Sequence, residues 1–190
     1  MKLIAITQRI DDIQHYQEKR DALDQRWWDL LSHCNIIPII LPNHLMLAKQ
    51  MIKYIKIDGI ILSGGNHSEE RDELELYLIE NALQQSIPLL GICHGMQMIQ
   101  KYFNVTLEEI ENHIAATQEI TIHNELSIVN SYHRYGTKQS PSILPVWAKA
   151  HDGVVKAIKH VTYPLTGIMW HPERLVPFNT RDIQLLKDIF

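Results

Sequence analysis

Short apolar, β-branched runs alternate along this chain with longer segments in which apolar residues recur every three or four positions. Residues 3–7 have the character of a strand. Residues 16–33 have the rhythm of a helix, with Leu23, Trp27, Leu30 and Leu31 on one face. Residues 36–41 form a continuous apolar run, as in a strand covered on both faces, and Pro42 closes it. The pattern then predicts a helix over 45–55, a strand over 59–62 and a helix over 69–85 that turns Leu74, Leu78, Ile79 and Ala82 inward. A buried strand over 87–92 and a helix over 96–102 follow. Residues 105–129 are less regular and predict short antiparallel strands. Residues 147–150 and 154–158 predict a hairpin turned at Asp152-Gly153. A strand over 165–170 and a helix over 182–190 complete the chain.

Alternation of buried strands with helices implies an α/β fold: a mostly parallel central sheet flanked by helices on both faces, with a small antiparallel addition. No repeat, low-complexity tract or long Pro/Gly/Ser linker interrupts it, so residues 1–190 are expected to form one domain. In such sheets, sites form beyond the carboxyl ends of the strands. That directs attention to residues 63–66, 93–95 and 171–173.

Composition narrows the class. Apolar types make up 45% of the 190 residues and charged types 21%, the balance of a globular chain with a real core. The formal charge of −4 gives no basic face for nucleic acid. Two cysteines, Cys34 and Cys93, do not make a disulfide framework. The first residues turn polar too soon for a signal peptide, and no apolar run approaches the roughly 18 needed to cross a bilayer. The expectation is a cytoplasmic protein with free thiols and no membrane contact.

Gly91-Ile92-Cys93-His94-Gly95 lies between a predicted strand and a predicted helix. This is the G-x-nucleophile-x-G pattern of a sharp turn that presents its central residue at a helix N-terminus. Partial positive charge there favours a thiolate. The same pentapeptide also fits a structural cysteine beside a tight turn. A nucleophilic cysteine needs a base held by a third group. Trp170-His171-Pro172-Glu173 follows a predicted strand, and its i, i+2 spacing lets His171 and Glu173 point the same way. Elsewhere such a His and Glu would be an ordinary solvated loop. Ser63-Gly64-Gly65 ends another predicted strand, and its glycines let backbone approach a substrate closely. The N–H groups of Gly65 and His94 could then form an oxyanion hole, or the pair could be a plain Gly-Gly turn.

These motifs, with Gln97 one turn past Cys93, resemble the class I glutamine amidotransferase superfamily over nearly the whole chain. Four further stretches are similar to its gamma-glutamyl hydrolase branch: Asp58-Gly59-Ile60-Ile61-Leu62-Ser63-Gly64-Gly65, Arg71-Asp72-Glu73-Leu74-Glu75-Leu76, Asn130-Ser131-Tyr132-His133 and Ala150-His151-Asp152-Gly153-Val154-Val155-Lys156-Ala157-Ile158. The resemblance implies a flavodoxin-like fold and a triad of Cys93, His171 and Glu173. It implies that Gly64 and Gln97 help hold a glutamyl group and that Ser131, Tyr132 and His133 line its pocket. It also implies a cysteine-dependent hydrolase of a small gamma-glutamyl compound, with no cofactor.

Two departures bear on the leaving group. Asn66-His67-Ser68 leads almost at once into the next helix, where this branch usually carries an insertion, and His94 stands where an Arg is common. The short chain is also similar to the hydrolases of capsule phosphoramidate synthesis, which cleave gamma-glutamyl-CDP-amidate. For a nucleotide conjugate, Arg9, Asn66, His67 and Arg134 are candidate leaving-group contacts. Arg9, Arg71 and Arg134 equally fit solvated or structural roles.

Eleven histidines raise the question of a metal, but no His-Glu-x-x-His and no Cys-x-x-Cys occurs, so none is expected. Of Trp27 and Trp28, one is expected in the core and one at the surface, and Cys34 is expected to be buried filler. Two other functions remain open on sequence. One is a glutaminase subunit that passes ammonia to a separate synthase. The other is a non-catalytic binding or regulatory protein on the same fold.

Overall fold

The computed structural model describes all 190 residues, Met1–Phe190. In chain order the elements are β1 (Lys2–Ile6), β2 (Arg9–Ile13), β3 (Glu18–Ala22), α1 (Arg26–His33), β4 (Ile36–Ile40), α2 (Leu45–Tyr54), β5 (Gly59–Leu62), α3 (Glu69–Gln85), β6 (Leu89–Ile92) and α4 (His94–Tyr102). The second half supplies β7 (Glu108–Glu109), β8 (Ile114–Ile122), β9 (Glu125–Tyr132), β10 (Tyr135–Gly136), β11 (Val146–Ala150), β12 (Val155–Lys159), β13 (Leu165–Ile168) and α5 (Thr180–Ile189).

Nine strands form one sheet in the order β4-β1-β5-β6-β13-β12-β11-β8-β9. The five strands from β4 to β13 run parallel, and the four beyond them continue the sheet antiparallel. β5, β6 and β13 are buried at every position, as strands covered on both faces must be. One face packs Trp27, Leu30 and Leu31 of α1 and Leu186 of α5 against Ile4, Ile6, Ile61 and Ile92. The other packs α2, α3 and α4, through Ala48, Leu74, Leu78 and Ile99, against Ala5, Ile60 and Leu62. This is the α/β class expected from the alternation, and the hairpin turned at Asp152-Gly153 joins β11 to β12 as predicted. Trp27 is buried and Trp28 partly exposed, and Cys34 is buried.

The helix expected over 16–33 is a correction. Only Arg26–His33 is α-helical, apart from a single 3-10 turn that ends at Tyr16. Residues 18–22 instead pair with residues 9–13 in an exposed antiparallel ribbon, with Arg9 opposite Ala22 and Ile13 opposite Glu18. The antiparallel strands expected within 105–129 are present, but β8 and β9 are long and pair from Ile122↔Glu125 to Ile114↔Tyr132.

α3 carries an ion pair where its inner face would otherwise be apolar. Arg71 and Glu75, one helical turn apart and wholly buried, meet at 2.9 Å. Thr7 Oγ1 donates to the same Glu75 oxygen at 2.7 Å, and Arg71 donates to the carbonyls of Ser63 and Asn66. Arg71 is therefore a structural residue that fixes the loop after β5, not a phosphate ligand. A buried pair held by this many hydrogen bonds is the arrangement in which attraction can offset the cost of desolvation.

Candidate functional site

Three neighbouring strands, β5, β6 and β13, end at one rim of the sheet. The chain leaves them at Ser63, Cys93 and Met169, and the three loops meet there. Cys93 joins β6 to α4 with φ +50° and ψ −101°. A side chain rarely takes this conformation, which costs of order 1–3 kcal/mol. The turn is held at both ends. Cys93 N–H donates to the Ile168 carbonyl at 2.8 Å, and Gln97 N–H donates to the Cys93 carbonyl at 3.0 Å, which starts the helix. Glycine is required on either side. A Cβ on Gly91 would lie 2.6 Å from the Gly95 carbonyl oxygen, and one on Gly95 would lie 2.3 Å from the Leu62 carbonyl oxygen.

The imidazole of His171 sits opposite. Its Nδ1 lies 2.8 Å from Oε1 of Glu173, and both side chains are almost wholly buried. Burial by itself disfavours the imidazolium. The Cys93 side chain, then the hydrogen bond and charge of Glu173, override it and raise the His171 pKa to about 9. Gly64 packs against this ring so tightly that a Cβ there would lie 2.3 Å from Cε1 of His171. Gly65, at φ +142°, has no room for a side chain between Arg9 and Arg71. Its N–H donates to no group in the protein, and the N–H of His94, first in α4, is one of the donors a helix start leaves free.

Cys93 opens onto a cavity of about 510 Å³. Of the residues expected around a substrate, Gly65, Asn66, His67, His94, Gln97, Tyr132, His133 and Arg134 line it. Gln97 donates to the Tyr135 carbonyl at 2.9 Å, which turns its amide toward the cavity wall. The ring of Tyr132 meets that of His171 edge-on at 5.9 Å. Three expectations, those for Ser131, Arg9 and Gly64, need correction. Ser131 is fully buried behind the wall, donating to the His113 carbonyl at 2.7 Å and accepting from Lys156 at 3.0 Å. Arg9 does not line the cavity. Its guanidinium is paired with Asp11 at 2.8 Å and its stem packs beneath Gly65. Gly64 buttresses the imidazole instead of lining the cavity. The His94 side chain points away and is buried 3.1 Å from Asp72. Burial, then the nearby charges of Arg71, Lys101 and His67, hold that imidazole neutral, with its pKa well below the ordinary value.

Sequence reasoning missed Lys101, Leu107 and Tyr135 on the cavity wall. It also missed Asn130 as a clamp on His171. The family motif that contains Asn130 was visible, but its contact with a residue 41 positions away was not. A further hollow, about 560 Å³, lies between residues 103–106 and 137–141 and holds none of these groups.

A strained cysteine at a helix start, an imidazole beside it, a carboxylate behind that imidazole and two free N–H groups nearby are the kinds of group that acyl transfer through a thioester calls for. The glutamine amidotransferase class-I family profile matches residues 20–190, and the chain belongs to that family. The gamma-glutamyl-CDP-amidate hydrolase of Campylobacter jejuni is 36% identical over 98% of this chain and 96% of its own length. The gamma-glutamyl-gamma-aminobutyrate hydrolase of Escherichia coli O157:H7 is 27% identical, covering 89% of this chain and 84% of that protein. A crystal structure of a glutamine amidotransferase from Thermotoga maritima superposes with a TM-score of 0.69 at 17% identity, over 98% of this chain and 83% of the other, which shows the shared fold. No helix is long and apolar enough to cross a membrane.

Proposed function

We propose that this protein is a cysteine-dependent hydrolase that cleaves a gamma-glutamyl amide to release glutamate, with gamma-glutamyl-CDP-amidate as the substrate the observations favour. The observation that carries the reaction is the arrangement of Cys93, His171 and Glu173 over a free oxyanion cradle. The Cys93 thiolate attacks the γ-carbonyl carbon. A C–S bond forms, and the oxygen takes up the carbonyl electron pair between the N–H groups of Gly65 and His94. As the C–N bond breaks, the His171 imidazolium gives its proton to the leaving nitrogen. The neutral imidazole then takes a proton from water, which attacks the thioester. Collapse of this second adduct expels the sulfur and regenerates the thiolate–imidazolium pair. Glu173 keeps the ring in one tautomer throughout.

The leaving-group end of the cavity supports an anionic nucleotide. Lys101 and Arg134 both reach it, and the Arg134 guanidinium makes no ion pair or hydrogen bond within the protein. A diphosphate would meet both charges, whereas the single carboxylate of an aminobutyrate leaving group would meet only one of them and an uncharged leaving group neither. Kinship with the Campylobacter hydrolase supports the same reading, in which the reaction serves capsule phosphoramidate synthesis. Glutamate release from gamma-glutamyl conjugates, nucleotide ones included, tests the reading against free glutamine. Faster release from the CDP-amidate than from glutamine, abolished in Cys93→Ala, is the expected result. Equal or faster turnover of glutamine would make the protein an ammonia donor to a separate synthase. Unchanged turnover in Cys93→Ala would end the thiolate mechanism.

A further inference from the structure

Behind the cavity wall lies a charge with no part in the proposed reaction. Lys156 of β12 is 1% exposed, yet no carboxylate comes within 4.0 Å of its ammonium. Buried charges are ordinarily paired. Its Nζ donates to Ser131 Oγ at 3.0 Å and lies 2.7 Å from Nε2 of His133. The second contact has a defined polarity. His133 Nδ1 lies 3.0 Å from the Tyr135 carbonyl and so carries the ring proton, which leaves Nε2 as the acceptor. Burial and then the Lys156 charge hold His133 neutral, with a pKa of about 3. Two of the three ammonium protons are thus spoken for.

Lys156 and Cys93 flank the same strand end. Cys93 N–H donates to the Ile168 carbonyl, and the next residue, Met169, donates its N–H to the Lys156 carbonyl, each at 2.8 Å. Other charged or titratable groups nearby are engaged. Asp152 is half-exposed and holds His113 at 3.0 Å, and the His171 imidazole is bound to Glu173. His133, against which the ammonium rests at 2.7 Å, lines the same cavity as Cys93.

We propose that Lys156 is a positioning residue whose buried ammonium is a second cation for the Cys93 thiolate, in addition to His171, and is held in place by Ser131 and His133. This rests on the reading of Cys93 as the nucleophile and accounts for the missing counter-ion. Burial pushes the Lys156 pKa down to about 7, against the pull of Cys93 and Asp152, so the second cation is present in acid and fades through neutrality.

The test is the rate at which iodoacetamide alkylates Cys93 between pH 5.5 and 9, followed by mass spectrometry of its peptide so that Cys34 does not interfere. No gamma-glutamyl substrate is needed, so the result does not depend on which compound is hydrolysed. Lys156→Met and Lys156→Gln should slow alkylation about tenfold at pH 6, with the difference closing above pH 8. Gln keeps a donor for Ser131 and His133, so equal slowing in both variants assigns the effect to charge. Folded variants alkylated at the wild-type rate at pH 6 would overturn the proposal, as would slowing in Met alone. Wild-type protein whose Cys93 resists alkylation at every pH would instead overturn the nucleophile reading. Should the Lys156 variants fail to fold, Cys93→Ala gives the reciprocal measurement. The Lys156 titration, followed by NMR, should move to lower pH when the thiolate is gone, and an unmoved titration would overturn the proposal.

Discussion

Asn130 grips both backbone polar groups of His171: its side-chain N–H donates to the His171 carbonyl, and its Oδ1 accepts the His171 N–H, each at 2.8 Å. Asn130 lies on β9, the edge strand, four places from β13 in the sheet order. The antiparallel half of the sheet must therefore curl back over the rim to reach the loop after β13. Register shifts between β8 and β9 and between β11 and β12 are the points where such bending enters. The antiparallel strands thus belong to the cavity: β9 fixes His171 and supplies the wall at Tyr132, with His133 just beyond its end.

Replacing Asn130 with Leu leaves a buried N–H and a buried carbonyl unpaired. The expected cost is about 2–3 kcal/mol of stability, read by urea denaturation. The imidazole loses its fixed position as well, so kcat should fall more than tenfold. A loss of stability with kcat unchanged would show that Glu173 alone suffices to orient the ring.

Gly64 limits the ring from the other side. A methyl group there would lie 2.3 Å from Cε1 of His171. The ring cannot swing away freely, because Asn130 holds its backbone and Glu173 its Nδ1. Gly64→Ala is expected to displace the imidazole and lower kcat by about a hundredfold, with KM little changed because Gly64 does not line the cavity. Steady-state kinetics on a gamma-glutamyl substrate separate the two parameters.

How much of this could be seen in the sequence follows from the distances along the chain over which each feature is set. The elbow around Cys93 is encoded in five consecutive residues, and its two glycines are demanded by contacts of the same strand–turn–helix unit and the neighbouring strand, so it was fully legible. His171 and Glu173 are two residues apart, and the orienting bond between them was legible for the same reason. The ribbon of β2 and β3 was not. Residues 18–22 are Glu-Lys-Arg-Asp-Ala, exposed almost throughout, and their pairing with residues 9–13 leaves no alternation of buried and exposed positions to detect. Charged residues of good helix propensity then extended the true rhythm of Trp27, Leu30 and Leu31 too far back. The β8–β9 hairpin hid its turn. His123 and Asn124 both take positive φ, 48° and 70°, as a two-residue hairpin loop requires, but His-Asn lacks the glycine that usually announces one. Asn130, Lys101 and Lys156 act on residues far away in sequence, and one chain without pairing information cannot place them.

Lys101 and Arg134 on the cavity wall are expected to separate substrates by charge. Arg134→Ala is expected to raise KM for gamma-glutamyl-CDP-amidate about tenfold and to leave turnover of uncharged gamma-glutamyl amides within about twofold. Lys101→Ala should act in the same direction but more weakly, because Lys101 is also drawn to Asp72 at 3.6 Å. Salt should weaken the wild-type enzyme toward the nucleotide substrate more than the Arg134 variant. Equal losses on charged and neutral substrates would place Arg134 in the glutamyl end instead.

Two buried bases set opposite pH trends in stability. The His171 pKa is raised to about 9 in the folded chain from an ordinary 6.5. Its contribution is fully present below about pH 6.5 and is lost as the pH rises through 9. The Lys156 pKa is lowered to about 7 from 10.5. Below about pH 7 the folded chain bears the full cost of burying that charge, and the cost is relieved as the pH rises toward 10.5, so stability from this group increases over the same interval. In the wild-type chain the two trends oppose each other between about pH 7 and 9. Lys156→Met removes the rising one, so its melting temperature should fall from pH 6.5 to 9 more steeply than that of the wild type. His171→Gln removes the falling one, so its melting temperature should hold or rise across the same range. Calorimetry at four or five pH values decides the matter: parallel curves for the three proteins would mean that neither base changes its proton affinity on folding, and the ammonium of Lys156 would lose its claim to be a desolvated charge.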